Sequence, residues 1–311
     1  MQIGFALPQL GSQASPENLI KIAVRAEELG YDSLWVLERL LWPLNPRVPY
    51  PAAPDGKLPE VFQSVFDPIE TLTFVAARTE RIGLGTSVIV SSYHNPVILS
   101  KRLATLDQLS GGRLLCGLGV GWSPDEFEAS GVPFGKRGTR TDEFLKLLVH
   151  LWTSEVVEFK GEFYTVPASK IGPKPLPRPA LPHPPIYLAG FTPMTLERIA
   201  QWAQGWNPVP LMSLDELRTS IQTLRELTAK YGRDPKQIEA ILRIFPRLTA
   251  EPLGSQRDFC SGSVGELADD VKRLGELGVT GLIIDLNFFP QFAHLSAMLE
   301  ALEQLASLLQ S

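Results

Sequence analysis

The feature that most constrains this chain is a repeated alternation of short apolar runs with segments whose apolar residues recur at helical spacing. Ile3–Leu7 is followed by Ser15-Pro16-Glu17, an N-cap with proline in the first helical turn, and then by a stripe of Ile20, Ala23, Val24 and Leu29 that Gly30 stops. Ser33–Val36 opens a second unit, with a helix starting at Asp67-Pro68. Ile82–Val90 reads as a third strand, followed by a helix from Asn95-Pro96 to Gly111-Gly112. Leu114–Val120 is a fourth, and its helix, Arg140–Trp152, places Phe144, Leu147, Leu148, Leu151 and Trp152 on one face. A hairpin pattern interrupts: Val156–Phe159, the turn Lys160-Gly161, and Phe163–Val166. The alternation resumes with Ile186–Leu188 and a helix from Thr192-Pro193, then a short strand near Trp206 and a helix from Ser213. Ile238–Phe245 precedes a helix from Ser263 to Gly278, and Leu282–Asp285 precedes a helix carrying Leu295, Met298, Leu299, Leu302 and Leu309. Ser213 with Glu216 and Ser263 with Glu266 have capping-box spacing.

Eight such units in 311 residues are the arithmetic of an α/β fold, either a (β/α)8 TIM barrel or an open doubly wound sheet. Phe5-Ala6-Leu7-Pro8-Gln9, after the first strand, offers no G-x-G-x-x-G fingerprint, which favours the barrel. The expected organisation is one barrel domain over residues 1–311 with an insertion at about 155–185. In such a barrel the active site lies at the C-terminal ends of the strands.

Composition enters mainly by exclusion. Lys plus Arg is 29 against 34 Asp plus Glu, and no run of like charges exists, so neither nucleic acid nor a membrane surface is an expected partner. No apolar run approaches the ~18 residues that cross a bilayer, and Met1–Phe5 reads as a strand, so a cytoplasmic protein is expected. Cys116 and Cys260 are far apart, no H-x-x-x-H or H-E-x-x-H pair occurs, and no metal site is expected. No G-x-S-x-G elbow occurs either. Proline is in excess, 27 residues, six of them between Pro43 and Pro59 and eight between Pro167 and Pro185. Both stretches are expected as loops near the mouth of the barrel.

Five segments carry residues suited to chemistry. Gly83, Gly85 and Ser87 share one face of the third strand, and Gly117, Gly119 and Gly121 one face of the fourth. Bare backbone there suits either a flat ring lying over the strands or close packing inside the barrel. Glu38 and Arg39 follow the second strand, as a candidate acid/base or cofactor-binding group or as an ordinary surface ion pair. Gly190-Phe191-Thr192-Pro193 is a possible phosphate cradle at a helix N-terminus, or a simple cap. Of the four histidines, His94 alone lies after a strand at the active end.

Several runs together point to a family. Gly85-Thr86-Ser87-Val88-Ile89-Val90, Tyr93-His94-Asn95-Pro96, Ala104–Arg113, Gly117–Trp122 with Glu126-Phe127, Tyr31–Val36 and Pro185–Gly190 together resemble the luciferase-like monooxygenase superfamily, and within it the branch dependent on coenzyme F420. The resemblance implies a non-prolyl cis peptide at Ser87-Val88 behind a deazaflavin ring, and a ring contact from Glu38. It also implies cofactor contacts from Val120 and Gly121 and a phosphate loop of Ala189, Gly190, Phe191 and Thr192. Relatives usually carry histidine where this chain has Arg39, and some sugar-oxidising relatives carry a glutamate proton donor where it has Trp122. The expected catalytic set is Glu38, Arg39, His94 and Trp122, with Trp122 walling the pocket beside Tyr50, Phe62 and Phe66.

The resemblance further implies hydride transfer between F420 and a small-molecule substrate, and a homodimer. An FMN-dependent flavin monooxygenase and a catalytically idle cofactor-binding barrel are the alternatives, since one set of ring and phosphate contacts serves F420 and FMN alike.

Overall fold

The computed structural model describes residues 1–53, 55–208 and 213–310. Among these, eight parallel strands close on themselves: β1 (Gln2–Ala6), β2 (Ser33–Val36), β3 (Gly83–Thr86), β4 (Leu114–Gly119), β5 (Ile186–Leu188), β6 (Gly205–Trp206), β7 (Glu239–Ile244) and β8 (Gly281–Ile284). Each pairs with its neighbour in sequence; β1 pairs with β8, and β3 with β4. The fold is thus a TIM barrel, as the alternation predicts, and not an open sheet.

Helices coat the outside: α1 (Pro16–Leu29), α2 (Pro68–Ala76), α3 (Pro96–Leu109), α4 (Pro124–Ala129), α5 (Arg137–Thr153), α6 (Pro193–Trp202), α7 (Leu214–Lys230), α8 (Val264–Leu277) and α9 (Leu295–Leu305). Their starts are written locally. The Ser15 side chain accepts from the Asn18 amide with Pro16 in the first turn, and Ser213 and Ser263 form complete capping boxes. Such caps contribute about 1 kcal/mol each. The buried face of α1 differs from the expected stripe. Leu19, Ile22, Ala23 and Ala26 face the sheet, while Ile20 and Val24 are only half-buried.

Inside the barrel Ala6, Trp35, Tyr187, Ile241 and Ile283 form a small core of their own. Trp35 fills the centre, fully buried, with its indole N–H donating to Ser33 Oγ at 2.8 Å. Its bulk explains two glycines. A Cβ at Gly85 would lie 2.3 Å from the Trp35 ring, and one at Gly4 would lie 2.5 Å from its Nε1. Gly85 therefore serves interior packing and not a ligand.

The third strand is not continuous. The expected run Ile82–Val90 is split into β3 and a two-residue piece, Ile89–Val90, by a cis peptide between Ser87 and Val88. Pairing with β4 moves from Gly85↔Leu115 to Ile89↔Leu118, so four residue steps on one strand oppose three on the other, which is the count of a β-bulge. The bulge pushes into β4. A Cβ at Gly117 would lie 1.7 Å from the Thr86 carbonyl oxygen, and one at Gly119 would lie 2.6 Å from Val88 Cγ2. The Thr86 hydroxyl replaces the lost ladder, donating to the Gly117 carbonyl at 2.7 Å and accepting from its amide at 2.9 Å.

The insertion forms an antiparallel hairpin, Val157–Lys160 with Thr165–Ser169, laid against α5. Glu143 of α5 accepts backbone N–H groups from Glu162, Phe163 and Tyr164 at its tip. The proline-rich segment that follows corrects the expectation of a mouth loop. Leu176 N and Arg178 bind Asp107 near the end of α3, and Arg178 also reaches the carbonyls of Gly112 and Leu114. Those groups lie at the N-terminal end of β4, the opposite face from the active end. The physical reason is connectivity: α5 runs away from the mouth, and the segment must deliver the chain to the start of β5.

Candidate active site

A cavity of about 650 Å³ opens at the C-terminal ends of β2, β3, β4 and β5. Its floor is the bulge: Ser87, Val88 and Val90 line it together with Gly119, Val120 and Gly121. The bulge is held from two sides. From β2, the Glu38 amide donates to the Val88 carbonyl at 3.2 Å and the Glu38 carboxylate accepts from the Val90 amide at 2.8 Å. From across the barrel, Ser87 Oγ donates to Asn207 Oδ1 at 2.6 Å, and Arg243 donates to the Ser87 carbonyl at 3.1 Å. Arg243 is anchored in turn by the fully buried Asp285.

Glu38 and Arg39 do not pair with each other, so the surface ion pair is excluded. Glu38 is buried, with its second oxygen 2.6 Å from His94 Nε2. His94 stands behind Glu38 and is not part of the cavity wall; its reach into the site runs through that carboxylate. Arg39 turns to Glu126 on α4, 3.1 Å from Nη1 to Oε2, with both side chains buried. Its guanidinium lies about 5 Å from the ring centres of both Phe62 and Trp122. Glu126 also accepts from the Leu40 amide and the Tyr93 hydroxyl. Burial, reinforced by Glu126, pushes the Tyr93 hydroxyl well above its usual range, so it stays protonated and donating.

The loop after β2 supplies the roof. Tyr50, Pro51, Ala52 and Phe62 line the cavity, so the first proline-rich stretch does lie at the mouth. Tyr50 packs on Trp122 and Phe62, and Phe62 packs on Phe288, which touches Phe245 beyond β7. Phe66, expected in this wall, is instead partly exposed outside it.

At the far end Ala189, Gly190, Phe191 and Thr192 line the cavity together with Lys136, Arg137, Gly138, Thr139 and Arg198. Two helix N-termini therefore meet here, those of α5 and α6, where backbone N–H groups and dipoles favour an anion. Thr192 performs the capping role, with Oγ1 accepting from the Thr195 amide at 3.2 Å. Gly190 has φ +125, a turn that strains any residue with a side chain.

Sequence reasoning brought Glu38, Arg39, Ser87, Val88, Val120, Gly121, Trp122 and residues 189–192 to one cavity. It assigned no role to Glu126 and missed Asn207, Arg243, Asp285 and Lys136–Thr139. An arginine in the apolar run Ile241-Leu242-Arg243-Ile244 was a readable signal, since a charge inside a strand must find a partner. The α5 start was hidden because the helix begins at Arg137, three residues before the expected Arg140, after a Lys136 that takes φ +60 and supplies no side-chain cap.

Among the described residues no cluster of His, Cys, Asp or Glu is arranged to hold a metal, and no helix is long and apolar enough to cross a membrane. Burial pushes the Cys116 thiol up, and that of Cys260 up to about 12, so neither is a ready nucleophile.

A family model described as luciferase-like monooxygenase matches residues 1–252. The chain belongs to that family. Its luciferase-like relatives include an uncharacterized protein of Mycobacterium tuberculosis, 32% identical over 265 residues, covering 84% of each chain. Another, from Kineococcus radiotolerans, is named F420-dependent glucose-6-phosphate dehydrogenase and is 31% identical over 77% of this chain and 66% of its own. Among solved structures, the monooxygenase RslO1 of Streptomyces bottropensis superposes with TM-score 0.82 at 21% identity, over 100% of this chain and 99% of that one. An F420-dependent secondary alcohol dehydrogenase superposes with TM-score 0.77 at 19% identity, over 98% of each chain. These likenesses extend the luciferase-like barrel fold over the whole chain.

Proposed function

We propose that this chain is an oxidoreductase that moves a hydride between coenzyme F420 and a small organic substrate. The observation that carries the reading is one continuous cavity joining the Ser87-Val88 bulge to two helix N-termini with basic side chains. That donor set suits a flat ring at one end and a phosphate at the other. Two relatives above 30% identity, from Amycolatopsis mediterranei and Kineococcus radiotolerans, are named F420-dependent glucose-6-phosphate dehydrogenase.

When bound, the deazaflavin supplies or takes the hydride. The protein holds and positions. Val88 and Gly121 line the floor on which the ring would rest, and Glu38 fixes the bulge through the Val90 amide while His94 fixes Glu38. Gly190, Thr192, Arg137 and Arg198 line the far end and would hold the phosphate. Tyr50, Phe62 and Trp122 exclude water from the substrate side, which strengthens every charge interaction within. The resemblance also supports a homodimer.

FMN-dependent oxygenation is the second reading, because the same bulge and helix N-termini suit an isoalloxazine and its phosphate. Titration of the purified protein with F420 and with FMN, followed by fluorescence, tests the choice. Tighter F420 binding, and stopped-flow reduction of bound F420 by one member of a substrate panel, is the expected result. Preference for FMN, or binding of neither, overturns it.

A further inference from the structure

Ser87, on the cavity floor, is gripped from the far side of the barrel by an arginine to which the proposed hydride transfer gives no role. Arg243, near the end of β7, donates from Nε to the Ser87 hydroxyl at 3.3 Å and from Nη2 to the Ser87 carbonyl at 3.1 Å. Its Nη1 donates to Asp285, which directly follows β8. The guanidinium thus stands between the floor and its own counter-charge, with the cation on the floor side. Asn207 fixes the direction of these bonds. Its Nδ2 donates to the Ile241 carbonyl at 2.8 Å, so its Oδ1 faces Ser87 and accepts from that hydroxyl at 2.6 Å. Ser87 Oγ is left to accept from Arg243, and only a donor fits opposite it.

Holding one carbonyl and one hydroxyl needs donors but no charge, and burying a guanidinium that is 4% exposed against a fully buried carboxylate carries a desolvation cost that neutral donors would avoid. The other charges at this end of the cavity show what a cation there does. Arg39 is balanced by Glu126, and Glu38 places a buried carboxylate at the opposite edge of the floor. Uptake of a hydride, two electrons and a proton, adds one negative charge to a ring resting on that floor. Glu38 opposes the added charge, and a cation behind Ser87 favours it, with little water between to screen the effect. We infer that Arg243 is a positioning residue that acts through Ser87, and that its charge, turned towards the cavity by Asp285 behind it, tilts the bound cofactor towards its reduced form. The inference deepens the reading above and rests on it, since it requires a ring on the floor.

The test measures how tightly the full-length protein binds the oxidised and the reduced forms of whichever of F420 or FMN it takes up, by quenching of tryptophan fluorescence without oxygen. The ratio of the two dissociation constants reads the electrostatic preference and is unmoved by a change that weakens both forms alike. Arg243→Met combined with Asp285→Leu removes both charges and fills their space with apolar groups, a replacement that buried ion pairs often tolerate. It should shift the ratio about fivefold towards the oxidised form, the order expected of a cation whose counter-charge lies a few ångströms further away at an effective dielectric of about 20. Arg243→Lys keeps the charge and loses the fork on Ser87, so its ratio should stay within about twofold of wild type even where both affinities fall. Asp285→Asn leaves the cation uncompensated and should move the ratio the other way, which keeps a sign to read if the double variant does not fold. An unchanged ratio in the double variant, an Arg243→Lys ratio that falls with it, or an Asp285→Asn ratio that moves towards the oxidised form would overturn the inference while the proposed activity stands. Preference for FMN would overturn the F420 reading and leave this test intact, and binding of neither cofactor would refute both.

Discussion

Arg243 and Arg39 stand on opposite sides of the same mouth, both buried and both paired with a carboxylate, yet their hydrogen bonds go to different ends. Arg243 donates from Nη1 to Asp285, from Nε to Ser87 Oγ and from Nη2 to the Ser87 carbonyl, so all three nitrogens are satisfied within the chain. Arg39 donates to Glu126 and leaves Nε unpaired. One arginine completes the scaffold that shapes the bulge, and the other lines the cavity with a buried Nε that has no partner. A buried ion pair alone therefore does not mark function; the count of satisfied donors distinguishes the two sites.

The sharpest way to break this contrast is to remove one partner on each side. Asp285→Ala leaves Arg243 buried without its counter-charge and should lower stability by about 3–5 kcal/mol in urea unfolding. Arg39→Met should cost only about 1–2 kcal/mol, because Glu126 keeps the Leu40 amide and the Tyr93 hydroxyl. Equal losses would mean that the two pairs do the same job. Next in size is Gly117→Ala. The added methyl would collide with the Thr86 carbonyl, a backbone atom that cannot step aside, and a loss near 3 kcal/mol is expected. Gly135→Ala, with nothing within 4 Å, should be silent in the same assay.

A smaller effect is expected at Glu38. Glu38→Gln keeps an acceptor for the Val90 amide but removes the charge beside His94, and should weaken cofactor binding about tenfold while leaving the unfolding midpoint nearly unchanged. A fluorescence titration reads the first and thermal melting the second; a changed melt with unchanged affinity would place Glu38 with the scaffold. The smallest effect lies at Glu266, at the start of the helix that follows β7. The Leu253 amide, aided by those of Ser263 and Gly254, holds its carboxyl at about 2 against an ordinary 4.5. The depressed value means that its stabilisation is complete above pH 4.5 and disappears as pH falls towards 2. Glu266→Gln should flatten that part of the acid-unfolding profile, and an unaltered profile would remove Glu266 from the account.

Local chemistry made most of the fold legible. Caps at Ser15, Asn95, Thr192, Ser213 and Ser263 and the apolar runs between them place nearly every strand and helix, because each signal acts within a few residues. The break in the third strand was not readable from its own residues. Ile82–Val90 reads as one strand with only Thr86 and Ser87 polar, and what interrupts it is room made by Gly117 and Gly119 and hydrogen bonds with Asn207 and Arg243, more than a hundred residues on. The site divides in the same way. Residues at strand ends were found by position, whereas Glu126, Asn207 and Asp285 act through partners that only the closed barrel brings near. The glycine stripes illustrate an ambiguity that pattern cannot resolve: Gly85 answers to Trp35, Gly117 to the bulge, and only Gly119 and Gly121 also border the cavity.

The position of the second proline-rich segment bears on how such a protein diversifies. Arg178 ties that segment to Asp107 and to carbonyls at the start of β4, far from the cavity, so the closure of the barrel there does not depend on what the mouth accepts. The roof, by contrast, is carried by the single connection between Glu38 and Phe66, which Gln9 grips at both ends through the carbonyls of Leu37 and Phe66. Substrate range and foldability are in that sense inherited separately: a transplanted roof from another family member would meet the same two anchor points and leave the lower staple untouched.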